Sequence, residues 1–256
     1  MMKLIDTHCH IYGEEFDRDL PSIIERAENE GVEKFYLPGI DSSVIDRMLK
    51  TEQQYPGKCL AMMGLHPCSV KDNYRQELTL VEEWLDRRRF AAVGEIGLDF
   101  YWDKTYSDQQ YDAFRRQLGL ARQHRLPAVL HSRDSLDESI GVVKSLQDGR
   151  LSGIFHCFGG TPEQAKQIID LGFYLGIGGI VTYKNSGLGP VIEQLSLDHI
   201  VLETDAPYLS PVPFRGKRNE SSYLKYVVQK LAELKQVAPE EVAAITTRNA
   251  QKIFGA

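Results

Sequence analysis

Short apolar runs alternate with longer amphipathic segments along the whole chain. Eight of the apolar runs have the length and composition of buried β-strands. The predicted strands are Lys3–Asp6, Lys34–Leu37, Leu60–Gly64, Ala91–Ile96, Ala128–Leu130, Gly153–Phe155, Phe173–Ile177 and Ile200–Leu202. The amphipathic segments predict helices, among them Asp19–Gly31, Ser42–Tyr55, Ser107–His124, Thr161–Leu171, Leu188–Leu195, Glu220–Lys235 and Pro239–Phe254.

Helix boundaries are marked by capping residues. Gly31 and Gly172 are typical of the left-handed position that follows a helix. Thr161-Pro162-Glu163 predicts an N-cap, a proline at the first helical position and an acidic first turn. Pro239-Glu240-Glu241 opens the last predicted helix in the same way, since acidic side chains favour a helix N-terminus.

The regular alternation of strand and helix predicts a parallel sheet, because parallel neighbours need crossover helices. Eight such units in 256 residues favour a closed (β/α)8 barrel of the TIM type over an open sheet. A glycine-rich phosphate-binding turn does not follow the first strand, which weakens the case for a dinucleotide-binding fold. With no linker or repeat in the sequence, we expect residues 1–256 to form one α/β domain.

The composition is that of an ordinary globular protein and does not by itself indicate a particular reaction. The chain is 42% hydrophobic and 26% charged, with a net charge of -6, which argues against coating nucleic acid by bulk electrostatics. Nucleic acid held in one small site remains compatible with this charge. The four cysteines form no CxxC pair, and neither a signal sequence nor a long apolar span is evident. We therefore expect a soluble, cytoplasmic protein with reduced thiols, no membrane contact and no obligate protein partner.

Histidines and isolated carboxylates follow the predicted strands. The carboxyl ends of barrel strands meet at one rim, where active sites of this fold are built. Five of the seven histidines are expected at that rim, whereas His124 and His199 fall on other segments. The residues predicted to converge there are His8, His10, His66, Glu95, His131, His156 and Asp205.

Each of these residues also has an ordinary structural interpretation. His8 and His10 are two apart, so their rings point to the same side of an extended backbone, as two ligands of one metal would. Glu95 lies in an apolar strand, where a carboxylate must be paired, either in a salt bridge or with metal. Asp205 would either cap a turn or join the first-strand histidines, because a barrel closes its eighth strand on its first.

A site of this composition suits a pair of divalent cations. Two such ions outweigh the charges of Glu95 and Asp205, and the remaining positive charge favours an anionic substrate such as a phosphodiester. Bound metal lowers the pKa of water from 15.7 to about 7, and Asp205 would orient and deprotonate that water.

Together the motifs resemble the TatD-family metal-dependent deoxyribonucleases of the amidohydrolase superfamily. The similarity covers essentially the whole chain. Its motifs are Asp6-Thr7-His8-Cys9-His10, Gly64-Leu65-His66-Pro67, Gly94-Glu95-Ile96-Gly97-Leu98-Asp99, Leu130-His131-Ser132-Arg133, Phe155-His156-Cys157-Phe158, Glu203-Thr204-Asp205-Ala206-Pro207-Tyr208, Pro213-Phe214-Arg215-Gly216-Lys217-Arg218-Asn219-Glu220 and Thr247-Arg248-Asn249-Ala250.

The resemblance implies a barrel that binds two or three divalent ions and hydrolyses DNA, often from the 3′ end. It implies one ion held by His8, His10, Glu95 and Asp205, and a second held by Glu95, His131 and His156. Zn, Mn, Mg and Fe are all compatible with these ligands. Glu95 stands where relatives that cut C–N bonds often carry a carbamylated lysine, and this favours the nuclease branch, with single-stranded DNA ends as the expected partner.

Further residues are assigned around this site. His66 is expected to contact a phosphate oxygen, to protonate the leaving group, or to support a ligand by hydrogen bonding. Glu203 would support a ligand or hold a weaker third ion. Arg133 would pair with a phosphate or with Asp99, and Arg215, Lys217 and Arg218 form a candidate phosphate grip on the site side of the barrel.

Aromatic and sulfur side chains near the predicted ligands complete the expectations. Tyr101-Trp102 would stack on a base or pack under a loop. Cys9 and Cys157 are expected to point away from the site into packing, without a catalytic role.

Two other functions remain open on the sequence alone. The same barrel and the same ions would serve a metal-dependent amidohydrolase or esterase acting on a small molecule, for which a narrow mouth without basic residues is the expected sign. A non-catalytic metal-binding protein is the third alternative, and the complete set of predicted ligands disfavours it.

Overall fold

The computed structural model describes residues 2–255, so Met1 and Ala256 of the predicted domain lie outside the described residues. The strands are β1 (Leu4–Asp6), β2 (Val32–Leu37), β3 (Cys59–Ala61), β4 (Val93–Asp99), β5 (Ala128–Arg133), β6 (Gly153–Phe155), β7 (Phe173–Ile177) and β8 (Ile200–Leu202). The helices are α1 (Leu20–Asn29), α2 (Ile45–Gln54), α3 (Tyr74–Arg87), α4 (Ser107–His124), α5 (Leu136–Leu146), α6 (Pro162–Asp170), α7 (Leu188–Gln194), α8 (Leu224–Lys235) and α9 (Pro239–Phe254).

The strands form a closed parallel barrel in sequence order. Regular parallel ladders join neighbouring strands within two groups, β1-β2-β3 and β4-β5-β6-β7-β8. A parallel bridge between Met63 and Val93 connects these two groups on one side. On the other side the backbone amide and the hydroxyl of Thr7 both donate to the carbonyl of Leu202, at 3.0 and 2.9 Å. The predicted (β/α)8 architecture is confirmed.

Two apolar layers stabilise the barrel. The larger layer lies between the strands and the surrounding helices. The smaller layer takes single side chains from strands around the whole barrel, so it occupies the interior, and Phe254 of α9 stacks on its Tyr36 at 3.7 Å between ring centroids. Its buried members are Ile5, Tyr36, Met62, Ala92, Val129, Ile154, Val201 and Ala250. This interior packing forms a solid base beneath the ends of the strands, as in other barrels of this type.

The capping predictions agree with the structure, and the strand boundaries agree less well. Thr161 accepts from the amide of Gln164, whose side chain accepts in turn from the amide of Thr161, and α6 begins at the following proline. Gly31 and Gly172 have φ of 91° and 83°. The predicted ends of β4 at Ile96 and of β5 at Leu130 are wrong. The two strands stay paired with each other as far as Asp99 and Arg133.

The β4–β5 ladder requires glycine at position 97. Gly97 has φ of 145°, and a Cβ atom there would lie 2.0 Å from the carbonyl oxygen of His131. Any side chain would therefore push β5 away from β4 at the residue where His131 enters the mouth of the barrel.

We predict that Gly97→Ala lowers the free energy of unfolding by about 3 kcal/mol or more, because it combines backbone strain with overpacking. Urea denaturation measures this loss. Gly141→Ala is the matched control, since its Cβ would meet no atom within 4 Å in helix α5. Alanine there should stabilise the chain by up to about 1 kcal/mol. Equal stability of the two variants would contradict the argument.

Candidate metal centre

The predicted ligands meet at the carboxyl ends of the strands. His8 and His10 follow β1, Glu95 and His131 lie within β4 and β5, and His156 directly follows β6. Asp205 lies three residues after β8, with its amide donating to the carbonyl of His8 at 2.9 Å. His66 occupies the connection from β3 to α3, with its amide donating to the carbonyl of Ile40 at 2.8 Å. The structure thus brings all seven side chains into one mouth.

Glu95 reaches the centre of this mouth because of an irregularity in β4. Gly94 is paired with Val129 and Ile96 with Leu130, so Glu95 is an extra residue in the ladder. Such a bulge redirects a side chain from its place in the strand. The amide of Glu95 instead donates to the carbonyl of Gly39 at 3.0 Å, and the residue is 2% exposed.

The two carboxylate oxygens of Glu95 face different groups of histidines. Oε1 lies 2.8 Å from Nδ1 of His131 and 2.9 Å from Nε2 of His156. Oε2 lies 3.1 Å from Nε2 of His8 and 3.8 Å from Nε2 of His10. One oxygen is thus directed to each of the two predicted ion positions, which is the arrangement of a bridging carboxylate.

Asp205 joins the His8 and His10 side of the cluster. Its Oδ1 lies 3.4 Å from Nε2 of His10 and 3.7 Å from Nε2 of His8. The two imidazole Nε2 atoms are themselves 3.3 Å apart, so three potential metal ligands converge on one point. Asp205 has φ of 55°, a left-handed conformation that aspartate tolerates better than most residues.

Tyr12, which the sequence did not single out, determines which nitrogen of His10 is available. The Tyr12 hydroxyl donates to the carbonyl of Pro38 at 2.6 Å and lies 3.1 Å from Nδ1 of His10. Because that hydroxyl proton is already used, Nδ1 of His10 must donate to the oxygen. Nε2 of His10 is then left with a free lone pair directed at the cluster, as metal binding requires. The spacing of two residues after His10 is the only signal that could have identified Tyr12.

His66 has the opposite arrangement. Its Nδ1 accepts from the amide of Cys68 at 3.1 Å, and its Nε2 lies 3.4 Å from Oε1 of Glu95. A neutral imidazole that accepts at Nδ1 carries its proton on Nε2. Although the ligand atoms of His66, Glu95 and His131 lie within 4.8 Å of one another, His66 therefore presents an N–H donor to the mouth.

Burial and charge together set the protonation of the cluster. Burial by itself raises the pKa of Glu95, but the electrostatic influence of the surrounding histidines, His156 foremost, outweighs it, and this pKa lies well below its usual range. Burial lowers the pKa of His8 and of His66. Burial also opposes charge on His156, yet Glu95 and Glu203 raise its pKa well above the usual value. Because ligand imidazoles must be neutral, metal binding here would release protons.

The donor set fits divalent metal. Overlapping groups of ligand atoms lie within 4.8 Å of one another: His8, His156 and Asp205; His8, His10 and Glu95; His66, Glu95 and His131. Among residues 2–255, Nδ1 of His8 is buried without a hydrogen-bond partner, so no contact at Nδ1 opposes the direction of Nε2 toward the cluster. Mixed imidazole and carboxylate ligands suit Zn, Mn or Fe, and Mg where water completes the shell.

Glu203 and Cys157 lie beside His156. Glu203 is 1% exposed, and its Oε1 accepts from the amide of Cys157 at 2.6 Å and lies 3.4 Å from Nδ1 of His156. This position behind a ligand matches the supporting role in the prediction. Cys9 packs away from the site as expected, with 0% exposure. The same prediction for Cys157 is wrong: a left-handed φ of 50° turns this residue so that it lines the mouth.

The mouth is a cavity of about 900 Å3 with one basic side chain, Arg133, among its described lining residues. The guanidinium of Arg133 lies 3.9 Å from the ring centroid of Tyr101 and 5.2 Å from that of Trp102. These rings are 53% and 68% exposed, so they are not packed under a loop. On the opposite side the lining includes Tyr208, which is 56% exposed.

The predicted phosphate grip after β8 makes other contacts. The guanidinium of Arg215 lies 4.6 Å from the ring centroid of Tyr183, and Nζ of Lys217 lies 5.9 Å from that of Phe214. Arg218 pairs with Asp19 at 2.6 Å. These three side chains are not among the described residues that line the mouth. The predicted alternative pairing of Arg133 with Asp99 is also not formed, because Asp99 pairs with His131 at 2.9 Å.

We predict that Cys157 does not act as a nucleophile, although it lines the mouth. Burial raises its pKa to about 12, so its thiolate fraction near neutral pH is on the order of a thousandfold below that of an ordinary thiol. Iodoacetamide treatment of the folded protein, followed by mass spectrometry, should leave Cys157 unmodified. The urea-unfolded chain is the control and should be fully modified. Rapid stoichiometric alkylation of folded protein would contradict this prediction.

This chain is similar to known proteins along nearly its whole length. Residues 5–255 match the family described as TatD related DNase. The chain is 40% identical over 252 residues to the metal-dependent hydrolase YabD of Bacillus subtilis strain 168, covering 98% of both proteins. It is 31% identical over 257 residues to the 3′-5′ ssDNA/RNA exonuclease TatD of Rahnella sp. strain Y9602, again covering 98% of both.

Solved structures show the same fold. YjjV, a TatD homologue from Escherichia coli K12, superposes with a TM-score of 0.93 at 32% identity, covering 99% of this chain and 98% of that one. Among residues 2–255, helices long and apolar enough to cross a bilayer are absent. From the family match over nearly its whole length, the chain belongs to the TatD related DNase family and is a metal-dependent hydrolase.

Proposed function

We propose that this chain is a metal-dependent exonuclease that removes nucleotides from the 3′ end of single-stranded DNA. The observation that carries the proposal is the division of the Glu95 carboxylate between two groups of imidazoles, 2.8 to 3.8 Å away, at the base of an open mouth. The 3′-5′ exonuclease named among the relatives supports the substrate and the direction of cutting.

Six side chains would hold the two ions. His8, His10 and Asp205 would bind one, His131 and His156 the other, and Glu95 both. When bound, divalent ions supply Lewis-acid stabilisation of the phosphate and lower the pKa of water. The chain itself excludes bulk water from the base of the mouth, since Glu95 and His8 are almost fully buried there.

Asp205 would accept the proton from the attacking water. Burial raises its pKa, but the neighbouring His10 and the charge of His156 outweigh this and lower it, so Asp205 is an ionised base near neutral pH. Its side chain is 15% exposed and lines the mouth, which gives it access to substrate. A carboxylate in that position can both orient a water and take its proton.

His66 would donate a hydrogen bond to the substrate phosphate. The Cys68 amide at 3.1 Å keeps the proton of the neutral ring on Nε2, which faces the mouth. This contact favours the phosphate-facing role over ligation of a metal, because a protonated Nε2 has no lone pair to offer.

Arg133 and the exposed aromatic rings would bind the nucleotide chain at the rim. Arg133 is the basic side chain of the described mouth lining, and its stacking on Tyr101 holds the guanidinium in one orientation. Trp102 on one side and Tyr208 on the other are exposed and available to stack on bases. Arg215, Lys217 and Arg218 would contact phosphates only of DNA that extends beyond the mouth.

Hydrolysis of a small ester or amide is the second candidate, and the lining of the mouth favours it. Ile40, Val44, Ile180 and Leu209 give the cavity apolar walls, whereas a nucleic acid site usually carries several basic residues. The same ligands and the same base would serve this reaction.

We predict that Asp205→Asn reduces the turnover number on single-stranded DNA by about 10²–10⁴-fold, because the variant keeps the shape but loses the proton acceptor. Asparagine tolerates the left-handed backbone at this position, so folding should be preserved. The assay uses chelator-stripped protein restored with Mg, Mn or Zn and DNA labelled at either end.

Release of single nucleotides from the 3′ end, lost in Asp205→Asn, would support the nuclease assignment. If stoichiometrically metal-loaded protein cleaves no DNA with any of the three ions, the nuclease proposal fails. A panel of small esters, lactones and amides would then test the second candidate with the same variant.

We predict that Arg133→Ala raises the KM for DNA about tenfold or more, because a hydrogen bond to a charged phosphate is lost. Hydrolysis of bis(p-nitrophenyl) phosphate, which has no nucleotide chain to reach the rim, should change little. Lys144→Ala on helix α5 removes the same charge at an exposed position and is the control. A rise in KM that is equal for both substrates would count against a rim contact.

A further inference from the structure

His131 lies between two carboxylates. Its Nδ1 is 2.8 Å from Oε1 of Glu95, inside the ligand cluster, and its Nε2 is 2.9 Å from Oδ2 of Asp99, outside it. A neutral imidazole has one N–H and one lone pair, so it can donate to only one of these carboxylates. The partner that receives the proton decides which nitrogen is free to bind metal.

Asp99 is rigidly held in place. It is 2% exposed, and its Oδ1 accepts from the amides of Tyr101 and Trp102 at 3.0 and 3.2 Å. Gln110 of α4 accepts from its amide at 2.9 Å and donates to its carbonyl at 3.1 Å. The Cys68 thiol also lies close to the carboxylate. His131 is the basic side chain that pairs with Asp99 among residues 2–255, so Oδ2 can accept from it without competition from Lys or Arg.

We propose that Asp99 is a positioning residue that keeps the proton of His131 on Nε2 and so presents the Nδ1 lone pair to the second metal ion. A carboxylate behind a metal-bound histidine fixes the tautomer and the ring orientation and increases ligand basicity. The inference rests on the proposed metal ligands and is independent of the substrate.

The same carboxylate connects the metal site to the rim. Oδ2 supports His131, while Oδ1 holds the first turn of the segment that carries Tyr101 and Trp102. Arg133 stacks on both of these rings. Asp99 thus fixes the second metal position and the aromatic side of the mouth relative to each other.

The test is the Zn2+ affinity of Asp99→Asn in the full-length, metal-stripped protein, measured by competition with a chromogenic chelator. The amide would direct an N–H group at Nε2, which shifts the ring proton to Nδ1 and blocks the ligand lone pair. We expect affinity for the Zn2+ ion assigned to His131 to fall about 10–100-fold, and affinity for the other ion to change less. Asp103→Asn is the matched control, because Asp103 is an exposed carboxylate in the same loop that pairs with Lys71 at 3.1 Å.

A double-mutant cycle separates positioning from a general structural effect. If Asp99 acts through His131, Asp99→Asn should cause no further loss of Zn2+ affinity in a His131→Ala background. Equal losses in both backgrounds, or an affinity of Asp99→Asn within twofold of the parent, would overturn the proposal. If His131→Ala itself binds Zn2+ as tightly as the parent, the proposed ligand set fails and the role of Asp99 with it.

A measurement on the unaltered chain covers the case in which the variants do not fold. Nitrogen-15 NMR of the histidine side chains in Zn2+-loaded protein should show His131 protonated at Nε2. Protonation at Nδ1 would overturn the proposal. Neither experiment uses DNA, so failure of the proposed exonuclease activity would leave this inference standing.

Discussion

The burial of one carboxylate organises the site. Glu95 is 2% exposed in an apolar barrel, and a charge in such a place is strongly unfavourable unless it is compensated. Here compensation comes from imidazole nitrogens on four other strands or strand ends, placed around both carboxylate oxygens. The histidines in turn need the carboxylate, because several rings directed at one point would otherwise repel one another once protonated. The base of the mouth is therefore a set of mutually dependent groups, and removal of Glu95 would leave the rest without a common partner.

The barrel supplies the rigidity that this arrangement needs. A packed interior lies below the cluster, and hydrogen-bonded closure between β8 and β1 lies beside it. Around the cluster, a second set of polar groups fixes individual rings: Tyr12 orients His10, the Cys68 amide orients His66, and Asp99 contacts His131. The orientation of the candidate ligands is thus controlled by residues outside the cluster, as is common in metal sites.

The rim of the mouth differs from its base in character. Its base is polar and buried, whereas its described walls combine apolar side chains, exposed aromatic rings and one arginine. In a chain with a net charge of -6, attraction of DNA through bulk electrostatics is weak, so binding would depend on the ions, on Arg133 and on stacking. This composition would suit a strand that enters the mouth by one end. Double-stranded DNA would instead need a broad basic surface along its length.

By itself the sequence determined the class of fold and predicted which side chains meet in the mouth. Strand and helix alternate with regular spacing, and polar residues directly after apolar strands must meet at one rim once the barrel closes. Only the tertiary structure decided how those residues are oriented. The bulge that turns Glu95 inward, the left-handed backbone that brings Cys157 into the mouth, and the contacts of Arg218 with Asp19 depend on register and on neighbours distant in sequence. The same holds for Tyr12 and Asp99, whose roles come from single hydrogen bonds to His10 and His131. Periodicity reports which face of an element is buried, but side-chain direction and tautomer are fixed by partners that only the folded chain brings within hydrogen-bonding distance.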